Sequence, residues 1–80
     1  MPKSIIIYSA DWCGFCHRVK DYLKSKNIPF EVLDVDSNPK YAEDCIRKSG
    51  QSGIPVLDID GQIVVGFNVK KINELVGIEE

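Results

Sequence analysis

The chain has 80 residues, with ten Lys and Arg against twelve Asp and Glu and a formal charge of −2. So short a chain builds one hydrophobic core, and one domain over residues 1–80 is expected. The near-neutral balance points away from nucleic acid and anionic membrane surfaces. No stretch reaches the roughly 20 apolar residues of a membrane span. Met1-Pro2-Lys3-Ser4 leads into an apolar run too short for a signal segment. A soluble, cytoplasmic monomer is the expectation.

Ser4-Ile5-Ile6-Ile7-Tyr8-Ser9 reads as the first strand, and its continuous apolar run suits a central position buried on both faces. Ala10-Asp11-Trp12 is a short loop. A helix follows from about Gly14 to Ser25, with Cys16, Val19, Tyr22 and Leu23 on one side. His17, Arg18, Lys20, Asp21, Lys24 and Lys26 fall mostly on the other side. Asn27-Ile28-Pro29 ends it, because proline cannot continue a helix and biases Ile28 away from helical dihedrals. Phe30–Val35 reads as a second strand with Phe30, Val32, Leu33 and Val35 inward. The connection is long enough for a right-handed crossover, so the two strands should be parallel.

Asn38 is placed to cap a second helix, with Pro39 as its first residue. Tyr41, Ala42, Cys45 and Ile46 form its apolar stripe, and Ser49-Gly50 closes it. Asp60-Gly61 between Val56–Ile59 and Ile63–Val65 is a hairpin signal. Asn68 is placed to cap a last helix over Val69–Val76, with Gly77 as its stop and Ile78-Glu79-Glu80 as a tail. The order β-α-β-α-β-β-α predicts an α/β protein with a four-stranded mixed sheet and helices on both faces.

The chemistry concentrates at Trp12-Cys13-Gly14-Phe15-Cys16. Two cysteines two residues apart, at a strand-to-helix junction, point to reversible thiol–disulfide exchange. The open N–H groups and positive dipole end of the helix favour the Cys13 thiolate, which is the nucleophile. Cys16, one turn further in, is the expected resolving thiol. Asp11 opposes the helix slightly, and His17 is a solvated helix residue or a modest electrostatic aid. Half of a zinc site is the alternative, but four ligands are needed and the chain adds only His17 and Cys45. Cys45 reads as a small buried hydrophobe, or else as a regulatory thiol. Trp12 and Phe15 are core residues or a contact surface for a substrate disulfide. Arg18 and the lysines near it are a wet face, the nearest of them able to attract an anionic substrate.

Tyr8-Ser9, the Cys13/Cys16 pair, Ile54-Pro55 and the element order together resemble the thioredoxin superfamily, and within it the glutaredoxins, from Ser4 to Val76. The resemblance implies a thioredoxin-like fold and a cis Ile54-Pro55 bond that presents the Ile54 backbone beside Cys13. It implies Cys13 and Cys16 as catalytic residues and no resident metal. Trp12, Phe15, Ile54, Pro55, Gly66, Phe67 and Asn68 would contact substrate. Glutathione would serve as co-substrate, with no tightly bound cofactor. The partners would be glutathione, disulfide-containing proteins and a reductase. The pattern departs from the family at three places. Cys13-Gly14-Phe15-Cys16 stands where C-P-Y-C is usual, Ala10 where many members carry lysine, and Gly66-Phe67-Asn68-Val69 where many carry G-G-x-x-D. The Ala10–Gly14 stretch is similar to thioredoxins, and Val65-Gly66-Phe67 to small members fed by thioredoxin reductase. Two other functions follow from the same cysteines: an electron donor reduced by thioredoxin reductase, and an iron–sulfur or metal-binding module.

Overall fold

The computed structural model describes residues 4–77, so the start at Met1–Lys3 and the tail 78–80 lie outside the described residues. Its elements are β1 (Ile5–Ser9), α1 (Gly14–Ser25), β2 (Glu31–Asp34), α2 (Pro39–Ser49), β3 (Val56–Ile59), β4 (Gln62–Val65) and α3 (Val69–Val76). The four strands form one sheet in the order β2-β1-β3-β4. β1 runs parallel to β2, with Ser9 opposite Asp34, and antiparallel to β3, with Ile5 opposite Ile59. β3 and β4 form the expected hairpin, and Asp60 (φ 51°) and Gly61 (φ 88°) supply the two left-handed residues that its tight turn needs.

Strand alternation sorts the apolar side chains into two layers. On one face Ile5, Ile7, Leu57, Ile59 and Val64 pack against Val19 and Leu23 of α1 and Ile72 of α3. On the other, Tyr8 and Val56 pack against Cys45 of α2, with Ile6, Leu33, Val35 and Ile63 around them. The run of isoleucines in β1 therefore serves both faces, as a central strand requires. The Tyr22 hydroxyl donates to the Asn73 side-chain amide oxygen, Oδ1, and ties α1 to α3.

Helix ends follow local chemistry. Asn38 Oδ1 accepts from Lys40 N at 2.9 Å, with Pro39 in the first turn. Asn68 Oδ1 accepts from Lys71 N at 3.1 Å. Gly50 (φ 73°) and Gly77 (φ 79°) close α2 and α3 in the left-handed region.

Two expectations need correction. The second strand is shorter than Phe30–Val35, and Val32 is 40% exposed instead of inward. β2 is an edge strand, and the apolar contacts of this segment come from Leu33 within it and from the flanking Val35 on the α2 side and Phe30 on the α1 side. Ile46 is 49% exposed. The contact of α2 with the sheet centres on Cys45, and the next residue is rotated by about 100° to the rim.

Candidate functional site

β1 delivers the chain into the site. Ser9 and Ala10 are buried, and Cys13 N donates to Ala10 O at 3.1 Å, which closes a tight turn. Cys13 keeps extended dihedrals (φ −88°, ψ 108°) as the N-cap of α1. Its Sγ accepts the N–H of Cys16 at 3.1 Å, the position usually filled by a serine or aspartate oxygen. That donor and the positive end of the helix dipole both point at the sulfur.

Cys13 and Cys16 form a disulfide, with Cα atoms 5.2 Å apart. The two sulfurs are not equivalent. Cys13 retains 6% exposure and Cys16 has none. Cys13 is therefore the more accessible of the two, and Cys16 is closed off from solvent.

The second wall comes from the loop before β3. The Ile54-Pro55 peptide bond is cis, as the resemblance implied. The Ile54 carbonyl oxygen lies 3.9 Å from Cys13 Sγ. Pro55 is buried, and its own carbonyl accepts from Gly66 N at 2.8 Å. Gly66 sits at φ 80°, where L side chains are strained. Ile54, Pro55 and Gly66 are thus linked to one another and to Cys13. Phe67 and Asn68 are engaged elsewhere. The Phe67 ring packs edge-on against Tyr22, 6.0 Å between centroids, and the Asn68 amide oxygen caps α3.

Trp12 and Phe15 flank the cysteines and are 72% and 59% exposed. They are surface, not core. The Trp12 indole N–H donates to Asp36 Oδ2 at 2.8 Å. The Arg18 guanidinium lies 5.6 Å from the Phe15 ring centre, and Gly14, Phe15 and Arg18 line a shallow depression of about 240 Å³. His17 Nε2 is 2.8 Å from the Asp11 carbonyl oxygen and so holds the loop that carries Trp12.

Asp36 is the residue that motif reading passed over. The signal was topological. Parallel pairing of β1 with β2 puts the loops after both strands at one end of the sheet, so the turn after Asp34 had to meet the turn after Ser9.

A second polar group lies under the sheet on the α2 side. Lys48 Nζ donates to Tyr8 Oη at 2.8 Å and to Asp58 Oδ2 at 2.7 Å. The bond from Lys48 holds the Asp58 carboxyl below its usual value, and the bonds to Asp58 and Tyr8 raise Lys48. Burial pushes the Cys45 thiol up, with Lys48 opposing. Among the described residues no three His, Cys, Asp or Glu side chains are grouped to hold a metal ion. No helix among the described residues is long and apolar enough to cross a membrane.

The glutaredoxin family model matches residues 5–64. An uncharacterized glutaredoxin-like 8.6 kDa protein in a rubredoxin operon of Clostridium pasteurianum is 47% identical over 72 residues, covering 90% of this chain and 96% of that protein. Glutaredoxin 3 of Escherichia coli K12 is 36% identical over 63 residues, covering 79% of this chain and 76% of its own. The structure of NrdH-redoxin from Escherichia coli, described as a glutaredoxin-like protein with a thioredoxin-like activity profile, aligns with a TM-score of 0.81 at 32% identity over 90% of this chain and 93% of that one. The family model covers most of the chain and relatives of 47% and 36% identity align over most of it, so the chain belongs to the glutaredoxin family.

Proposed function

We propose that the protein is a thiol–disulfide oxidoreductase that reduces protein or glutathione mixed disulfides through Cys13 and Cys16. The observation that carries this reading is the Cys13 sulfur, which caps α1, accepts the Cys16 N–H at 3.1 Å and is the more open of the pair. The Cys13 thiolate attacks one sulfur of the substrate disulfide. The S–S bond breaks, the far sulfur leaves as thiolate and takes a proton from solvent, and Cys13 is joined to the near sulfur. Cys16 then loses its proton and attacks Cys13 Sγ. The substrate leaves reduced by two electrons, and the protein keeps the Cys13–Cys16 disulfide. The Ile54 backbone beside Cys13 offers an incoming chain hydrogen-bonding groups. Such a pair works where thiols are kept reduced, which agrees with a cytoplasmic location.

Two donors can return the electrons. Glutathione, as co-substrate, would attack the mixed disulfide directly and bypass Cys16. A second reading, with a thioredoxin reductase as donor, is favoured by the positions where glutaredoxins often hold glutathione. Ala10 is 1% exposed, and the Asn68 side chain is occupied as a helix cap. The likeness to NrdH-redoxin, with its thioredoxin-like activity profile, supports the same reading.

The test oxidises the protein and follows NADPH consumption with glutathione plus glutathione reductase, and separately with thioredoxin reductase. Turnover with either supports the oxidoreductase reading and identifies the donor. Failure to reduce any model disulfide, even with dithiothreitol as donor, overturns it.

A further inference from the structure

Charge is not spread evenly over this molecule. α1 and α3 share one face of the sheet. With the cap of α1 they carry Arg18, Lys20, Lys24, Lys26, Lys70 and Lys71 against Asp21 and Glu74. The β2–α2 half carries the opposite excess, with Glu31, Asp34, Asp36, Glu43 and Asp44 against Lys40, Arg47 and Lys48. Pairing sharpens the contrast. Among the described residues the ion pairs are Arg47–Asp44 and Lys48–Asp58, both of which use cations of α2. No cation of the α1–α3 layer is in an ion pair among the described residues.

The redox site lies at the border of the two halves. On the β2 flank Asp36 is held by Trp12, and Asp11 is exposed. On the other flank Arg18 is exposed on the wall of the Gly14–Phe15–Arg18 depression, with its guanidinium against the Phe15 ring. Stacking on an aromatic ring leaves the edge donors of an arginine free for a carboxylate. Lys70 and Lys71 stand in the first turn of α3, just past Gly66, which is bonded to Pro55.

We propose that the α1–α3 face next to Cys13 receives an acidic protein partner, with Arg18 as its first carboxylate contact and Phe15 and Trp12 as the apolar contacts around the exchanging sulfurs. The proposal rests on the oxidoreductase reading and supplies its partner class. The overall charge of −2 hides this, because an acidic protein would be expected to avoid an acidic partner. The field near Cys13 decides the encounter, not the net charge. The acidic β2–α2 half turns such a partner away from the wrong approach.

The experiment uses two synthetic peptides with the same internal disulfide, one flanked by glutamates and one by lysines. Reduced protein is mixed with each by stopped flow, and the second-order rate is read at about 0.01 M and about 0.15 M salt, where the screening length is about 30 Å and about 8 Å. The glutamate peptide should react about tenfold or more faster than the lysine peptide at low salt, and the two rates should converge as salt rises. Arg18→Glu should remove most of that preference, while Lys40→Glu, on α2, should leave it intact. Equal rates for the two peptides, or loss of preference in Lys40→Glu as large as in Arg18→Glu, would overturn the docking proposal alone. Absence of exchange with both peptides would overturn the oxidoreductase reading and the docking proposal with it.

Discussion

The Trp12 indole donates to the Asp36 carboxylate at 2.8 Å, across the gap between the loop after β1 and the turn after β2. This bond fixes an exposed ring beside Cys13. Asp36→Ala should therefore loosen the ring with little loss of fold. The expected cost is about 0.5–1.5 kcal/mol, because both partners are solvent-exposed. Trp12 is the single tryptophan of the chain, so its fluorescence anisotropy reads the change directly. Unchanged anisotropy in Asp36→Ala would show that packing, not this bond, holds the ring.

The two cysteines should separate by variant. Cys13→Ser should abolish exchange on every substrate. Cys16→Ser should halt turnover on an internal protein disulfide and accumulate a covalent adduct through Cys13, visible by mass spectrometry. On a glutathione mixed disulfide, Cys16→Ser should keep its activity if glutathione is the donor. Equal loss in both variants on that substrate would remove the glutathione route.

Asp58 gives a pH signature. Lys48 holds its carboxyl low, so the pair contributes fully above the ordinary carboxylate value of about 4. The contribution is lost as pH falls through the lower value of the folded protein. Lys48 is raised, so on the alkaline side the contribution persists until pH rises through that elevated value. Asp58→Asn should cost about 1–2 kcal/mol at pH 7. Denaturant unfolding of both proteins should show the gap closing toward pH 2. A gap that is constant with pH would assign the cost to packing.

Cys45 should be inert in the folded protein. It is 2% exposed, and burial raises its thiol. Iodoacetamide at pH 7 should label Cys13 of the reduced native protein and spare Cys45, which should react once the chain is unfolded. Labelling of Cys45 at the rate of Cys13 would mean that α2 opens readily.

Much of this was legible in the amino-acid order. Ile5–Ile7 announced a central strand, Asn38-Pro39 and Asn68 announced helix starts, and Asp60-Gly61 announced the hairpin, because each depends on a preference carried within a few residues. Val32 and Ile46 were misread because their burial depends on what lies beyond them. A strand pattern does not say which strand is at the edge, and a helix stripe does not say how wide the opposing surface is. At the site, Cys13 and Cys16 were visible from spacing, and Ile54-Pro55 from the family resemblance. Asp36 and Lys48 were not, since their partners Trp12, Tyr8 and Asp58 are brought near only by strand order. Phe67 and Asn68 were legible as residues but not as the packing ring and helix cap that they supply.

The strand order also sets a schedule for folding. β1 can pair with β2 as soon as α1 has formed, yet its other edge waits for β3, where Ile5 meets Ile59. A ribosome making this chain therefore exposes one flank of its most apolar strand until most of the sequence has emerged. Closing that long loop is the entropic step that the final sheet depends on. Until it closes, the Ile5–Ile7 edge is the point most open to capture by a chaperone or by another nascent chain.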